Sequence, residues 1–594
     1  MDSTTQSTTT KAALPPILIA AVIQGVSLYA LQHAIEVHAW PSNQLGWLLA
    51  FYGVALFCPV TFELLVEHRG RRAFWVLLAL LGAVMFYFGW HHGNEVVDPH
   101  HNSLAASGAF FVLPFVVTVW WLQVLPFLQN RLSAGRWTMD YRLLFTHAWR
   151  NIITLAEAGL FAGLFWLILG LWMSLFHMIG IDLFRHLFTK PAFAYLVTSI
   201  AFGCALLLIG SIDRIVSAVL EQLLNVLKWL APLAGLLLAL FTLALAARLP
   251  GLIATGSRAI GAVWLLWLVA VVVLLVNAAY RDGTVECPYP NWLARALRIC
   301  VPLTVIISIT ALYALGVRAA HYGLSVERVW AFIVAGAALM YSLGYSRAAF
   351  RTGPWLQDIA RVNVVVALLL LAAIAAALTP LFSPYRLAAA SQSKLILEGR
   401  YGTVTRSPPG VSPFRYLAFD AGQYGRRRLE QLAQLHGGAG ADEIRDLARQ
   451  ALAQKAPGEI VSARDAGALV ANLSIYPAGR KLDPELARLL VANWGKPQAG
   501  MYFAARSDSA MAGVFVDLDG DGVDEFVLLM AGGGPAYQHL ATGWRYIGRL
   551  SPDGPFPNWQ ALLQELTRGN LAAVTPRWKE LSVGPHRFRV TQPP

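Results

Sequence analysis

The chain has 594 residues, 57% of them hydrophobic and only 13% charged, with a mean hydropathy of +0.53 and 20 Trp. A soluble domain carries about 25% charged residues, so an ordinary soluble protein is excluded and an integral membrane protein is indicated. The net charge of +12 does not point to nucleic acid, because the basic residues before Arg386 fall mainly in short loops between apolar runs and no basic patch interleaves with aromatics.

From the N-terminus, MDSTTQSTTTKAAL carries one Lys ahead of a long apolar run and no small-residue cleavage site. Residues 1–14 therefore read as a short cytoplasmic tail before an uncleaved first span. Crossing ~30 Å of hydrocarbon takes about 20 apolar residues. By that measure residues 15–385 hold about eleven transmembrane helices. They centre on Ile19–Leu31, Leu48–Val60, Phe74–Phe88, Ala109–Val124, Leu155–Leu175, Phe193–Ile209, Leu230–Leu245, Val263–Val276, Val301–Leu315, Trp330–Leu343 and Val364–Leu378. Lys and Arg concentrate in one set of alternate loops (Arg69, Arg71, Arg72, Arg131, Arg136, Arg347, Arg351) and thin out in the other (Arg185, Lys190, Arg248). Basic loops stay in the cytoplasm. With an odd number of crossings, the N-terminus is then cytoplasmic and everything after Arg386 periplasmic.

Within the spans, ionisable residues are costly and normally face a bundle interior or water. Glu157 is the foremost of these, with Arg150 and His147 just before it as possible ion partners; the alternative is a helix-start carboxylate at the interface. Glu63 and Glu221 are similar but nearer span ends. Gly159, Gly163 and Gly170 on the Glu157 span would allow close helix packing. The loop His91–His101 groups four His with Glu95 and Asp98. It reads as a solvated polar loop, because no fixed ligand spacing singles out a transition metal. Cys58, Cys204, Cys287 and Cys300 show no zinc spacing and read as small packed side chains.

Three stretches carry a family resemblance. They are Asn363–Arg400 (NVVVALLLLAAIAAALTPLFSPYRLAAASQSKLILEGR), Phe419–Leu432 (FDAGQYGRRRLEQL) and Arg142–Trp172. In the first, a last span leads to Pro380, Ser383, Pro384, Tyr385 and Arg386, then to Ser391, Gln392 and Lys394. Together they resemble a bacterial inner-membrane family known as domain of unknown function 4153, over about residues 10–435. The resemblance implies a polytopic inner-membrane location and no particular activity. The joint is also legible physically. Pro380 and Pro384 stop a helix, and Tyr385 and Arg386 suit the lipid headgroup level. Arg426–Arg428 reads as a solvated helix face.

Residues 386–594 are different material, a C-terminal α+β soluble domain. GQYGRRRLEQLAQL and ADEIRDLARQALAQK show helical spacing. DPELARLLVANW opens on an N-cap Asp483 with Pro484 at the first helical position. MYFAAR, AGVFVDL, EFVLLM and GWRYIGRL read as strands, and NWQALLQELTRG as a helix closing on Gly569.

Between two of these strands, DLDGDGVDE places side-chain oxygens at Asp517, Asp519, Asp521 and Glu525, with the Val523 carbonyl between them and Gly520 and Gly522 free to curl. Oxygen-rich spacing of this kind suits Ca²⁺. The loop is no EF-hand, since Leu528 stands where the bidentate Glu belongs. It resembles a single strand–loop–strand calcium loop of FG-GAP repeats, and the alternative is an uncomplexed acidic turn.

No G-x-S-x-G, Walker A, H-E-x-x-H or dinucleotide fingerprint occurs. The expected function is thus a membrane-embedded envelope protein that binds or senses an envelope protein partner through its exported domain. The alternatives are a transporter of a small solute or ion and a membrane-embedded envelope enzyme.

Overall fold

The computed structural model describes residues 3–97, 108–210, 213–254, 261–283, 287–351, 356, 358–400, 412–437, 440–454, 470, 473–493, 511–530, 534–541, 543–550, 559–571, 581–583 and 586–588. Two compact units emerge. The first is Met1–Arg400 with Asp420–Arg428; the second is Tyr401–Phe419 with Leu429–Pro594.

The first unit is helical. Its helices are α1 (Ser3–Glu36), α2 (Leu45–Leu64), α3 (Arg72–His91), α4 (Gly108–Ala134), α5 (Tyr141–Met178), α6 (Leu183–Phe188), α7 (Pro191–Gly210), α8 (Asp213–Ala254), α9 (Ala262–Tyr280), α10 (Asn291–Cys300), α11 (Leu303–Tyr322), α12 (Val326–Phe350), α13 (Ile359–Ala377) and α14 (Pro384–Leu397). Local chemistry sets several starts. Asp140 caps α5 by accepting from Arg142 N at 3.0 Å, Ser325 caps α12 by accepting from Arg328 N, and Pro384 opens α14.

Ten stretches of the described residues are helical, long and apolar enough to cross a membrane. The sequence suggested eleven, and every one of its apolar runs does lie on a helix. The difference is α4, which takes the place of Ala109–Val124. It has the length to span; its apolar start, 108–112, lies outside the residues whose side chains are described, and the remainder carries Gln123, Gln129 and Asn130. These residues are tolerated because α4 is walled in by protein. Leu113, Val117, Trp121, Leu125 and Leu128 share one core cluster with Met85 and Phe88 of α3, Leu206 of α7 and Ile374 of α13. Gln129 and Asn151 of α5 exchange two hydrogen bonds of 2.9 Å.

Close helix approaches use other glycines than expected. A Cβ on Gly89 of α3 would lie 2.4 Å from the Leu49 carbonyl oxygen of α2, and one on Gly25 of α1 would lie 2.7 Å from Leu196 Cα of α7. Gly159, Gly163 and Gly170 face open space among the described atoms. They sit on a face of α5 with exposed Leu160, Leu164 and Leu167, so they pack nothing.

The unit also ends later than Arg386. Gln392 of α14 donates to the carbonyls of Tyr322 (3.0 Å) and Leu324 (2.9 Å), and Ser391 Oγ accepts from Leu324 N (2.9 Å). The Ser-Gln pair thus clamps α14 to the α11–α12 turn, which keeps the exit helix in the membrane unit. Tyr385, expected at the headgroups, is 6% exposed and turned onto the His92 ring at 5.9 Å.

The second unit contains a five-stranded sheet in spatial order β1 (Ser474–Tyr476), β2 (Met511–Val516), β3 (Glu525–Met530), β4 (Gly534–Leu540), β5 (Gly543–Leu550). β1 runs parallel to β2; the other pairings are antiparallel. Side chains alternate across it with period two. Phe515, Phe526 and Leu528 meet Leu486 and Leu490 on one face, while Ala512, Val514 and Val527 meet Leu566 on the other. The covering helices follow α15 (Pro413–Phe419), α16 (Gly422–Ala433, which starts in the first unit) and α17 (Ala441–Ala453); they are α18 (Pro484–Asn493) and α19 (Trp559–Thr567). A separate hairpin pairs β6 (Leu581–Val583) with β7 (His586–Phe588).

The N-cap at Asp483 and the strands AGVFVDL, EFVLLM and GWRYIGRL form as the sequence indicates. The helix from Trp559 closes on Gly569, whose φ is +79°. MYFAAR lies outside the described residues. β1 and β4 were not evident: one is only three residues long, and the other reads Gly-Pro-Ala-Tyr, with turn formers in front.

Candidate functional site

β2 and β3 pair up to Val516 opposite Glu525, which leaves Asp517–Asp524 as the connecting loop. Gly520 (φ +82°) and Gly522 (φ +86°) turn it through the left-handed region that glycine enters without strain. The carboxylates fold inward onto the backbone. Asp517 accepts from Gly520 N (2.7 Å) and Gly522 N (3.0 Å), and Asp521 from Val523 N (2.8 Å). Asp519 accepts from Asp521 N (3.2 Å) and, across the sheet, from Gln538 Nε2 (2.8 Å). Asp524 is drawn away by Arg480, whose guanidinium lies over the Phe515 ring.

Glu525 differs from the rest. It is 1% exposed, and only its Oε2 is bonded, to Leu518 N at 2.7 Å. Its Oε1 is buried without a hydrogen-bond partner among the described residues. One oxygen each from Asp517, Asp519 and Glu525 lie within 4.8 Å of one another. Three converging carboxylates repel, and a buried oxygen without a partner costs about 1–3 kcal/mol or more when charged. A hard divalent cation removes both penalties, and oxygen ligands are what Ca²⁺ takes. Asp521 stands outside the trio, and the Val523 side chain is exposed at the rim.

A second trio, Asp483, Glu485 and His539, was not foreseen. It has a structural explanation: Asp483 caps α18 through Glu485 N (2.9 Å) and accepts from Trp544 Nε1 (2.9 Å). The Trp544 bond, then the Glu485 N–H, hold its carboxyl below the ordinary range.

In the membrane unit, Glu157 and the two residues expected beside it are strung along α5. Arg150 and His147 lie on the same helix, and at 1.5 Å per residue Arg150 is about 10 Å further along the axis. Glu157 is half-buried, with buried Ile153 and Thr154 one turn before it and exposed Leu160, Phe161 and Leu164 after it, so it sits at the margin of the bundle.

Glu63 lies inside the bundle. It is 4% exposed, and neither carboxylate oxygen has a hydrogen-bond partner among the described residues. Its neighbour Thr61 is fully buried and accepts from Trp121 Nε1 of α4 at 2.8 Å.

The histidine-rich loop is also less open than its composition suggests. α3 continues to His91, and a further turn carries His92–Val96. His91 is 2% exposed and lines a small cavity of about 10 Å³ together with His92, Trp330, Ser383 and Tyr385. His91 Nε2, Trp330 Nε1 and Ser383 Oγ lack hydrogen-bond partners among the described residues, in a cavity otherwise lined by Val96, Leu113, Val116 and Leu378. Glu95 pairs with Arg427 at 2.9 Å, while the Arg427 side chain stays about half exposed, so the expected solvated face holds with one ion pair on it. Asp98, His100 and His101 lie outside the described residues.

The sequence reading passed over one more polar cluster. Tyr345, 1% exposed, places its hydroxyl 2.8 Å from Asn277 Oδ1 and 2.7 Å from Asn363 Oδ1, and Asn363 Nδ2 donates to Tyr141 Oη at 3.0 Å. Its sequence signal is a lone Asn in each of two apolar runs, LLVNAAY and ARVNVVV. No family model, curated protein or solved structure matches the chain, so the resemblance of residues 10–435 stays an expectation and the sites rest on their geometry.

Proposed function

We propose that the chain is a multi-pass protein of the bacterial inner membrane that carries its C-terminal α+β domain into the periplasm. There the domain binds or senses an envelope protein partner, with Ca²⁺ pinning the Asp517–Glu525 loop. The buried, half-bonded Glu525 beside Asp517 and Asp519 carries the metal part of this reading. An ion there would fasten β2 to β3 at the centre of the sheet, a structural role. It fits an extracytoplasmic compartment, where free Ca²⁺ is plentiful.

Two observations support the topology: the Arg-rich alternate loops and the enclosure of α4. As a bundle-lined helix of 27 residues, about 40 Å long at 1.5 Å per residue, α4 supplies an eleventh crossing despite its amides. Eleven crossings put the N-terminus and the C-terminal domain on opposite sides.

The test has two arms on the full-length protein. Thermal melting in detergent is expected to rise with Ca²⁺, fall with chelator, and lose this response in Asp519→Ala; identical curves would remove the metal. Alkaline phosphatase fused at the C-terminus is expected to be active; a fusion that works only with a cytosolic reporter would reverse the placement and, with it, the envelope partner.

A further inference from the structure

We propose that the Glu63 carboxyl is a proton-binding site within the α1–α2–α7 packet of the membrane unit. This stands apart from the calcium loop and rests on different residues.

Glu63 is the penultimate residue of α2, so it lies one helical turn from the segment that ends the span, Leu65–Arg69. Its side chain nonetheless points into protein. A Cβ placed on Gly203 of α7 would come within 3.0 Å of Glu63 Oε1 and within 3.0 Å of the Ala21 Cβ of α1, and Ala21 is fully buried. The missing side chain at Gly203 is therefore the space that the carboxyl occupies. Both carboxylate oxygens end there without a hydrogen-bond donor, and no Lys, Arg or His forms an ion pair with Glu63 among the described residues. The titratable side chain recorded against it from a packed helix is the Cys204 thiol of α7.

A carboxylate in such a place needs a positive occupant, because an isolated buried charge is far costlier than a neutral group. Two occupants are chemically reasonable, a proton or a metal cation such as Na⁺. A metal cation needs several oxygen ligands. The groups recorded beside the Glu63 carboxyl are Gly203, the Ala21 methyl and the Cys204 thiol, and Thr61, two residues away, engages its hydroxyl with the Phe57 carbonyl and the Trp121 N–H. A proton needs only the carboxyl itself. Binding is then the simple addition of H⁺ to one oxygen, with no redox change and no leaving group. The nearby end of α2 brings that proton within one turn of the span's end, on the side with Arg69, Arg71 and Arg72. The membrane unit thereby gains a group whose occupancy follows proton activity on that side.

The test is carbodiimide labelling of the full-length protein in detergent, read by mass spectrometry of the Glu63 peptide. A carbodiimide takes its proton from the acid form, and the carboxyl oxygen adds to its central carbon. The acyl group then shifts to nitrogen, leaving a stable N-acylurea that retains every atom of both reactants. Dicyclohexylcarbodiimide, which is apolar, is expected to label Glu63 at pH 7 and more slowly as the pH is raised. A water-soluble carbodiimide is expected to leave it untouched, and exposed Glu398 serves as the comparison for dicyclohexylcarbodiimide. Absence of the Glu63 adduct from folded protein would overturn the proposal. So would suppression of labelling by Na⁺ at fixed pH, which would make the occupant a metal cation. Glu63→Gln, a neutral isostere, is expected to abolish the adduct and to melt with the wild type. A large fall in its melting temperature would show that the packet holds a charge and would count against the proposal, and the wild-type labelling decides the matter independently of how the variant folds.

Discussion

Asn363 Nδ2 on α13 donates to Asn277 Oδ1 on α9 at 2.7 Å, joining helices that are 86 residues apart in sequence. The same amide reaches Tyr141 at the start of α5, and Tyr345 of α12 closes the group. Four helices of the membrane unit therefore share one polar knot inside an apolar core. Replacing Asn363 with Ala takes one partner each from Asn277, Tyr345 and Tyr141 and leaves only the Tyr345–Asn277 bond of the group. The expected cost is about 1–3 kcal/mol, measured by thermal or denaturant unfolding in detergent. Tyr141→Phe, which removes one peripheral contact, should cost less. Equal and negligible effects from both would show that the knot carries no stability.

How far the sequence could be read depended on the scale of the signal. Twenty-residue apolar runs announce membrane helices, because the bilayer sets their length, and each expected run is a helix. Within the second unit, Asp483 before Pro484 and the alternation in AGVFV are local codes, and they hold. What stayed hidden was orientation about the helix axis. Glu157 and Glu63 look alike in one dimension, each a carboxylate in an apolar run. Only the neighbours tell them apart: exposed Leu160 and Phe161 beside one, Gly203 and Ala21 beside the other. The acidic loop was legible as oxygens at intervals, while the isolation of Glu525 Oε1 depends on its burial at the first residue of β3.

The glycines give a direct contrast. Gly89→Ala would drive a Cβ into the Leu49 carbonyl, so α2 and α3 must separate. Overpacking of this kind costs about 1–3 kcal/mol. Gly163→Ala meets nothing within 4 Å and replaces the poorest ordinary helix former with the best, so it should be neutral or stabilising. Melting temperatures of the two variants should move in opposite directions, or only the first should move; the reverse order would contradict the helix contacts.

Asp483 sets a pH dependence for the second unit. Its folded-state carboxyl is held below the ordinary value, first by Trp544 and then by the Glu485 N–H. Such a group is stabilising above its unfolded pKa, about 3.9, and that contribution is lost as pH falls through the lower folded value. Stability is thus expected to drop below about pH 4, and Asp483→Asn should flatten that part of the profile. The measurement is unfolding of the full-length protein followed by Trp fluorescence between pH 3 and pH 7, and an unchanged low-pH slope in the variant would exclude Asp483 as its source.

Glu525 allows the sharpest test of the calcium loop, because the sign of one substitution should reverse. In chelator, the wild-type loop holds a buried carboxylate with one unbonded oxygen close to Asp517 and Asp519. Glu525→Gln removes that charge and keeps an oxygen to accept from Leu518 N, so the variant should be the more stable protein. In excess Ca²⁺ the order should invert. An ion bound only by the folded state adds RT ln(1 + [L]/Kd), about 2.7 kcal/mol at a hundredfold excess over Kd, and the amide gives up a charged ligand and with it part of that gain. Melting curves of wild type and variant, each with chelator and with Ca²⁺, therefore should cross. Parallel shifts, with the variant less stable in both, would mean that the Glu525 charge is held by the protein alone and that the loop is an ordinary acidic turn.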